Sequence, residues 1–233
     1  MKNTSKNTVI ISGNICADAN VSASKNFAAF DLAHNAGKDN ETLFDTVKIF
    51  SKNGNQTVDI PFDLLKKGAR VLVKGFRRTE KKTYVAKDGS ERTSKNTVIV
   101  ATSIEAYPKD EENKSTNNVV ISGNICADAN VSASKNFAAF DLAHSAGKDN
   151  ETLFDKVKMF SSNGRQAVEI PFDLLKKGAR VLVKGFRRTE TETYIAKDGS
   201  EHTSKTTVIV ALAVEAYPFE AEEDNTESAE KAA

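Results

Sequence analysis

Residues 42–54 read TLFDTVKIFSKNG, and residues 152–164 read TLFDKVKMFSSNG. On a strand, successive side chains point to opposite faces. Val47 and Ile49 of the first stretch therefore share one side, and Phe44, Thr46, Lys48 and Phe50 share the other. The first side can fill a core. The second shows two flat rings bracketing a cation, and the chain builds it twice.

The duplication is general. Residues 9–107 recur as residues 119–217 at an offset of 110, with 83 of 99 positions identical. A period this long means two domains, not a solenoid of short units. The sequence predicts one domain over 1–107, a linker over 108–118 (PKDEENKSTNN), a second domain over 119–217 and an acidic, disordered tail over 218–233. As a flexible coil, 11 linker residues span about 18 Å and hold the domains at roughly millimolar effective concentration. The net charge of +1 hides a gradient. Residues 1–107 carry 17 Lys/Arg against 11 Asp/Glu, residues 118–218 carry 13 against 12, and residues 219–233 one against six. A basic front and an acidic end cancel only on average.

Each repeat is mostly strand. TVIISG (8–13) is a short apolar run, and FAAFDLAH (27–34) and LFDTVKIF (43–50) alternate. RVLVKGF (70–76) runs into Gly75, which predicts a bulge that turns Phe76 inward. Asp-Gly in KDGS (87–90) between two alternating arms predicts a long hairpin. VDIPFDLLKKG (58–68) predicts one short helix over 59–67, capped by Asp59, with Pro61 in its first turn and Gly68 after its end. Three strands, a short helix between strands 3 and 4, and a strand entering a hairpin predict an all-β, five-stranded Greek-key barrel of the OB-fold type, present as two tandem copies. An immunoglobulin-like sandwich is the runner-up, but it needs about seven strands and no helix.

Arg78, Lys82 and Tyr84 share one face of the hairpin's first arm, just after Arg77. With Phe44, Lys48 and Phe50 they offer flat rings interleaved with cations. A single nucleic-acid strand needs that combination: bases stack on rings, at about 1–3 kcal/mol each, and cations follow the phosphates. A duplex hides its base faces.

VIISGNICADANV, FAAFDLA, LFDTVKIF, LLKKGARVLVKGFRRT, the hairpin to KDGS and VIVATSIEAY occur in that order over 7–107 and again, nearly unchanged, over 117–217. In their order and spacing these pieces resemble a bacterial single-stranded DNA-binding protein. The resemblance implies stacking aromatics at Phe44, Phe50 and Tyr84, copied as Phe154, Phe160 and Tyr194. Phosphate contacts are then expected from Lys48, Arg77, Arg78, Lys81 and Lys82, and from Lys158, Arg187 and Arg188. It also implies two chains pairing as a homodimer with four OB domains, and sequence-independent binding in replication, recombination and repair. The chain departs from the family pattern in two ways. It has no tryptophan, and Pro218 and Phe219 precede the tail acids instead of following them, which weighs against recruitment of replication and repair proteins through the tail.

Nothing else in the sequence carries chemistry. Cys16 and Cys126 occupy one repeated position without metal or disulfide spacing and are expected to be buried or half-buried. His34, His144 and His202 form no metal pattern, His34 reads as part of a strand-end polar pair with Asp31, and Glu41 and Asp45 read as acids near the aromatic face that tune binding. The expectation is a non-enzyme without cofactor, metal or catalytic residues. With no membrane-length apolar run and no apolar leader, it is expected in the cytoplasm with the nucleoid. The alternative is an OB-fold protein–protein adaptor of the replication-restart type, which binds nucleic acid weakly; an oligosaccharide-binding barrel is disfavoured by the cations. Thr191 and Glu192 replace Lys81 and Lys82, so repeat one is expected to bind single strands more tightly and with steeper salt dependence than repeat two. Comparing the two binding faces over a salt series checks this, and equal behaviour would refute it.

Overall fold

The computed structural model describes residues 5–35, 42–53, 56–107, 115–145, 151–162, 167–195 and 200–217. Residues 108–114 of the expected linker, the acidic tail over 218–233 and Glu41 lie outside them. Repeat one contains β1 (Asn7–Ile15), β2 (Asn20–Val21), β3 (Phe27–Asn35), β4 (Thr42–Phe50), β5 (Lys52–Asn53), β6 (Gln56–Thr57), β7 (Arg70–Val85) and β8 (Glu91–Ala106). Repeat two contains β9 (Asn117–Ile125), β10 (Asn130–Val131), β11 (Phe137–Ser145), β12 (Thr152–Phe160), β13 (Arg180–Ile195) and β14 (Glu201–Ala216). Asn117 and Asn118, expected in the linker, instead open β9. There they pair with Ile11 and Ile10.

Five strands close each barrel. In repeat one, β1 pairs with β3, β3 with β4, β4 with β8 in parallel, β8 with β7, and β7 returns to β1. Repeat two closes likewise through β9, β11, β12, β14 and β13. The alternation of LFDTVKIF is realised: Val47 and Ile49 are fully buried and Phe44 is exposed. Val9, Ile11, Ile15, Leu32, Val71, Val73 and Ile99 complete the interior. Cys16 and Cys126 are half-buried free thiols. Within its own barrel β1 serves β7 and then β3, and it crosses β3 at Gly13. A Cβ there would collide with the Ala33 carbonyl oxygen.

Two local expectations change. The bulge lies where it was expected, between Lys74 and Gly75 in the register with β8. The extra residue, however, is Thr102 on β8, whose hydroxyl donates to the Lys74 carbonyl at 3.1 Å. The phase of β7 therefore continues. Phe76 stays half-buried, and Arg77 takes the inward position after Val71, Val73 and Gly75. The glycine serves close approach, since its Cβ would meet the Val100 carbonyl. The helix shrinks to a 3-10 turn over Phe62–Leu64, preceded by Pro61 and with no side-chain cap. Pro61 disfavours helical backbone at Ile60, and Val58 and Ile60 are buried on either side of Asp59, which is an extended pattern. Asp59 caps nothing.

The barrels are joined, not merely tethered. β1 and β9 pair antiparallel, with Val9 opposite its own copy Val119, and this merges both repeats into one 12-stranded sheet. The bonds around it are reciprocal: Ser12 N–H donates to Thr116 O at 2.8 Å and Ser122 N–H to Lys6 O at 2.9 Å. Asn7 donates its side-chain amide to Arg77 O at 2.8 Å and to Ser145 O at 3.1 Å; Asn117 does the same to Arg187 O at 2.7 Å and Asn35 O at 3.1 Å. This is the geometry of a two-fold interface, built within one polypeptide.

Gly75→Ala is expected to cost more than about 2 kcal/mol, because backbone, not a flexible side chain, must give way. Urea unfolding measures this; a loss below half that value would show that β8 moves aside freely.

Candidate nucleic-acid interface

Phe44 and Phe154 are each 68% exposed, the largest exposures among aromatic rings of the described residues, and Tyr84 and Tyr194 stand about half exposed on their hairpins. β4 and β12 place Phe44 and Phe154 at the start of their outer rows, because the inward phase is taken by Val47, Ile49, Val157 and Met159. Phe50 and Phe160 end those rows half-buried. Phe50 packs at 5.0 Å against Phe27, its cross-strand partner, and Phe160 at 5.1 Å against Phe137. Sequence reasoning missed Phe27 and Phe137 as support for these rings. Arg78 lies over Phe50 with its guanidinium 5.7 Å from the ring centre, and Arg188 over Phe160 at 5.5 Å.

The expected cations divide into two groups. Lys48, Arg78, Lys158 and Arg188 lie among the rings, and Lys48 and Arg78 share one carboxylate, Glu80, as Lys158 and Arg188 share Glu190. Lys81 reaches Glu151 of the other repeat at 2.5 Å while remaining half exposed. The Lys82 side chain lies outside the described residues. Repeat two also has a cation that the sequence reading passed over: Lys156 replaces Thr46 and stands exposed between Phe154 and Lys158 on the outer row. The charge lost from its hairpin at Thr191 and Glu192 is partly regained on its strand.

Arg77 and Arg187, expected to contact phosphates, instead point into the interior. Both are 7% exposed. Arg77 donates to Asp155 and Arg187 to Asp45, each at 2.5 Å and each across the repeat boundary. His34 donates to Asp45 at 2.7 Å and His144 to Asp155 at 2.6 Å. The buried Nδ1 atoms of His34 and His144 have no partner among the described residues. Asp45 is thus turned inward, away from the aromatic face, and His34 pairs with Asp45 rather than Asp31. Asp31 accepts a hydrogen bond from Thr46 at 2.8 Å. The signal was in the sequence: His34, Asp45 and Arg77 fall on the inward phases of their strands, where a charge needs a partner.

Burial would raise the carboxyl groups of Asp45 and Asp155, but the histidine hydrogen bonds and the arginine charges overturn that and hold both well below the usual carboxylate range. A depressed native pKa gives stability that is present above the unfolded value, about 3.9, and lost as pH falls below it. Stability is therefore expected to hold from pH 7 to about pH 5 as far as these groups are concerned, and to fall steeply below about pH 4. Arg77→Met should cost about 3–5 kcal/mol, since it strands a buried carboxylate. Urea unfolding over a pH series tests both; a variant as stable as the parent at pH 7 would show the triad to be dispensable.

Comparison with known proteins gives the same fold. A family model described as the single-strand binding protein family matches residues 6–107. No curated protein sequence matches the chain. Among solved structures, the wild-type single-stranded DNA binding protein from Thermus aquaticus is similar over 92% of this chain and 94% of its own, with 19% identity and a TM-score of 0.54. A deletion variant of that protein is similar over 94% and 98%, with 18% identity and a TM-score of 0.55. At such identities the structures speak for the tandem-barrel fold alone.

Proposed function

We propose that the chain is a member of the single-strand binding protein family, whose model matches residues 6–107 and so the segment that residues 119–217 repeat, and that it holds single-stranded DNA without sequence preference by stacking bases on Phe44, Phe50 and Tyr84 and on Phe154, Phe160 and Tyr194. Lys48, Arg78, Lys81 and Lys82 in repeat one, and Lys156, Lys158 and Arg188 in repeat two, follow the phosphates. The observation that carries this reading is the exposure of Phe44 and Phe154. Both large rings are turned to solvent on strands whose other face buries Asp45, Val47 and Ile49 in β4 and Asp155, Val157 and Met159 in β12, with Lys48 and Lys158 farther along the same rows. An unpaired base offers a flat surface to cover each of them. The role is protection of exposed strands during replication, recombination and repair, not catalysis, in the cytoplasm with the nucleoid.

Two chains pair to give four barrels in this reading. The surface that supports it is the face of β7, β1, β9 and β13 turned away from both cores, where Ile10, Leu72, Val120 and Leu182 are half-buried in a single chain. Lys74–Glu105 and Lys184–Glu215 ion pairs flank them at 2.8 and 2.7 Å. Light scattering should give twice the mass of one chain. The adaptor reading draws its support from the carboxylates that already occupy Lys48, Arg78 and Lys81. It requires weak binding of oligo-dT at physiological salt.

Phe44→Ala with Phe154→Ala is expected to weaken oligo-dT binding at least tenfold, with one base lost from each barrel at about 1–3 kcal/mol. Quenching of tyrosine fluorescence during titration reads it, and unchanged affinity would remove these rings from the site. The comparison of repeats belongs in the full chain, because cutting between the barrels would strand Arg77, Asp45 and their partners. There, Thr191→Lys with Glu192→Lys should tighten binding and steepen its salt dependence; no change would place the hairpin outside the strand's path.

A further inference from the structure

Beside the outer rows, β7 and β13 each carry a carboxylate that strand binding does not use. Glu80 lies two residues beyond Arg78 on β7, facing β4. One of its oxygens accepts from Lys48 and the other from Arg78 Nη2, at 2.8 Å. Domain two repeats the arrangement with Lys158, Glu190 and Arg188, the last at 2.6 Å. The three side chains are each about a quarter exposed in domain one, so water and ions reach them. The guanidinium of the same Arg78 covers the Phe50 ring. Burial opposes the charged carboxylate, but the hydrogen bonds from Lys48 and Arg78 prevail and hold Glu80 below the usual range. Glu190 is held down in the same way by Lys158 and Arg188. At neutral pH a two-oxygen anion therefore sits between an ammonium and a guanidinium, at the edge of a ring assigned to stacking.

We propose that Glu80 and Glu190 are built-in stand-ins for a DNA phosphate: each fills the seat between lysine and arginine that a backbone phosphate would take, and the strand must displace it. The proposal rests on the stacking face described under Proposed function. Its physical consequence is specific. The ions released on binding are cations condensed on the nucleic acid, one set per phosphate neutralised. With Glu80 still in the site, Lys48 and Arg78 present a net charge of +1 instead of +2, so fewer phosphates are neutralised and fewer ions released. Affinity is attenuated, and its salt dependence is shallower than the number of cations among the rings would give. The device keeps a basic, aromatic face from holding arbitrary polyanions, while base stacking supplies what an acidic polymer without bases lacks.

The test uses the full chain carrying Glu80→Gln and Glu190→Gln, titrated with oligo-dT over a series of sodium chloride concentrations by tyrosine fluorescence. The amide keeps the shape and removes the charge. Binding at low salt should tighten at least tenfold, and the log–log salt slope should steepen by about 1.4, one phosphate per barrel at about −0.7 each for single strands. Heparin, a polyanion without bases, should gain affinity more than oligo-dT does. Asp63→Asn with Asp173→Asn, exposed on the 3-10 turn of each repeat, removes equal charge outside the aromatic row and should leave the slope unchanged; equal steepening would overturn the assignment to this seat. If the parent protein binds oligo-dT and the Glu80/Glu190 variant binds no better, the carboxylates only orient the cations and the proposal fails. If neither protein binds oligo-dT at any salt, the stacking reading itself falls. Should the glutamine variant melt early, Glu80→Thr with Glu190→Thr, a residue suited to strands, must move the slope the same way, and the opposite movement refutes the idea.

Discussion

Two barrels in this chain are one object because β1 and β9 complete each other's sheet and because two buried carboxylates are shared across that seam. Asp45 belongs to repeat one but is neutralised by Arg187 of repeat two, and Asp155 by Arg77 in return. Buried ion pairs add little net stability against apolar alternatives, yet removing one member is costly. They therefore fix arrangement more than they add strength. Each shared carboxylate also neighbours an exposed ring in sequence, Asp45 beside Phe44 and Asp155 beside Phe154. The position of the outer row in one barrel is thus set partly by an arginine from the other.

The barrel itself could be read from alternation. Val47 and Ile49 against Phe44 and Lys48, the Asp-Gly turn and the order of elements are local patterns, and local patterns survive folding when the same face is buried all along a strand. The helix was over-read because Asp59, Pro61 and Gly68 are good boundary residues wherever the chain turns. Burial of Val58 and Ile60 decided for extended backbone instead. At Gly75 the need for close approach was legible, but which strand carries the extra residue was not, since that depends on the partner's register.

The seam was not foreseen, although its residues gave a sign. Pairing between β1 and β9 depends on which edges are left open after each barrel closes, which no single segment records. His34, Asp45 and Arg77, however, stood on inward phases next to fully buried aliphatic residues. Three polar groups on one interior of about 100 residues point to a partner beyond it. Assigning Arg77 and Arg187 to phosphates by their neighbourhood to Arg78 and Arg188 ignored that a strand separates adjacent residues onto opposite faces.

The pseudo-symmetric seam has a consequence for how the two binding faces can differ. In an assembly of identical single-barrel subunits, any substitution appears on every face at once. Here a lysine stands beside Phe154 where a threonine stands beside Phe44, and a glutamate stands on one hairpin where a lysine stands on the other. In the proposed binding mode, a strand laid across this molecule would meet two unlike surfaces. The covalent joining of the copies thereby lets the two repeats of one chain diverge, which a true dyad between them would forbid.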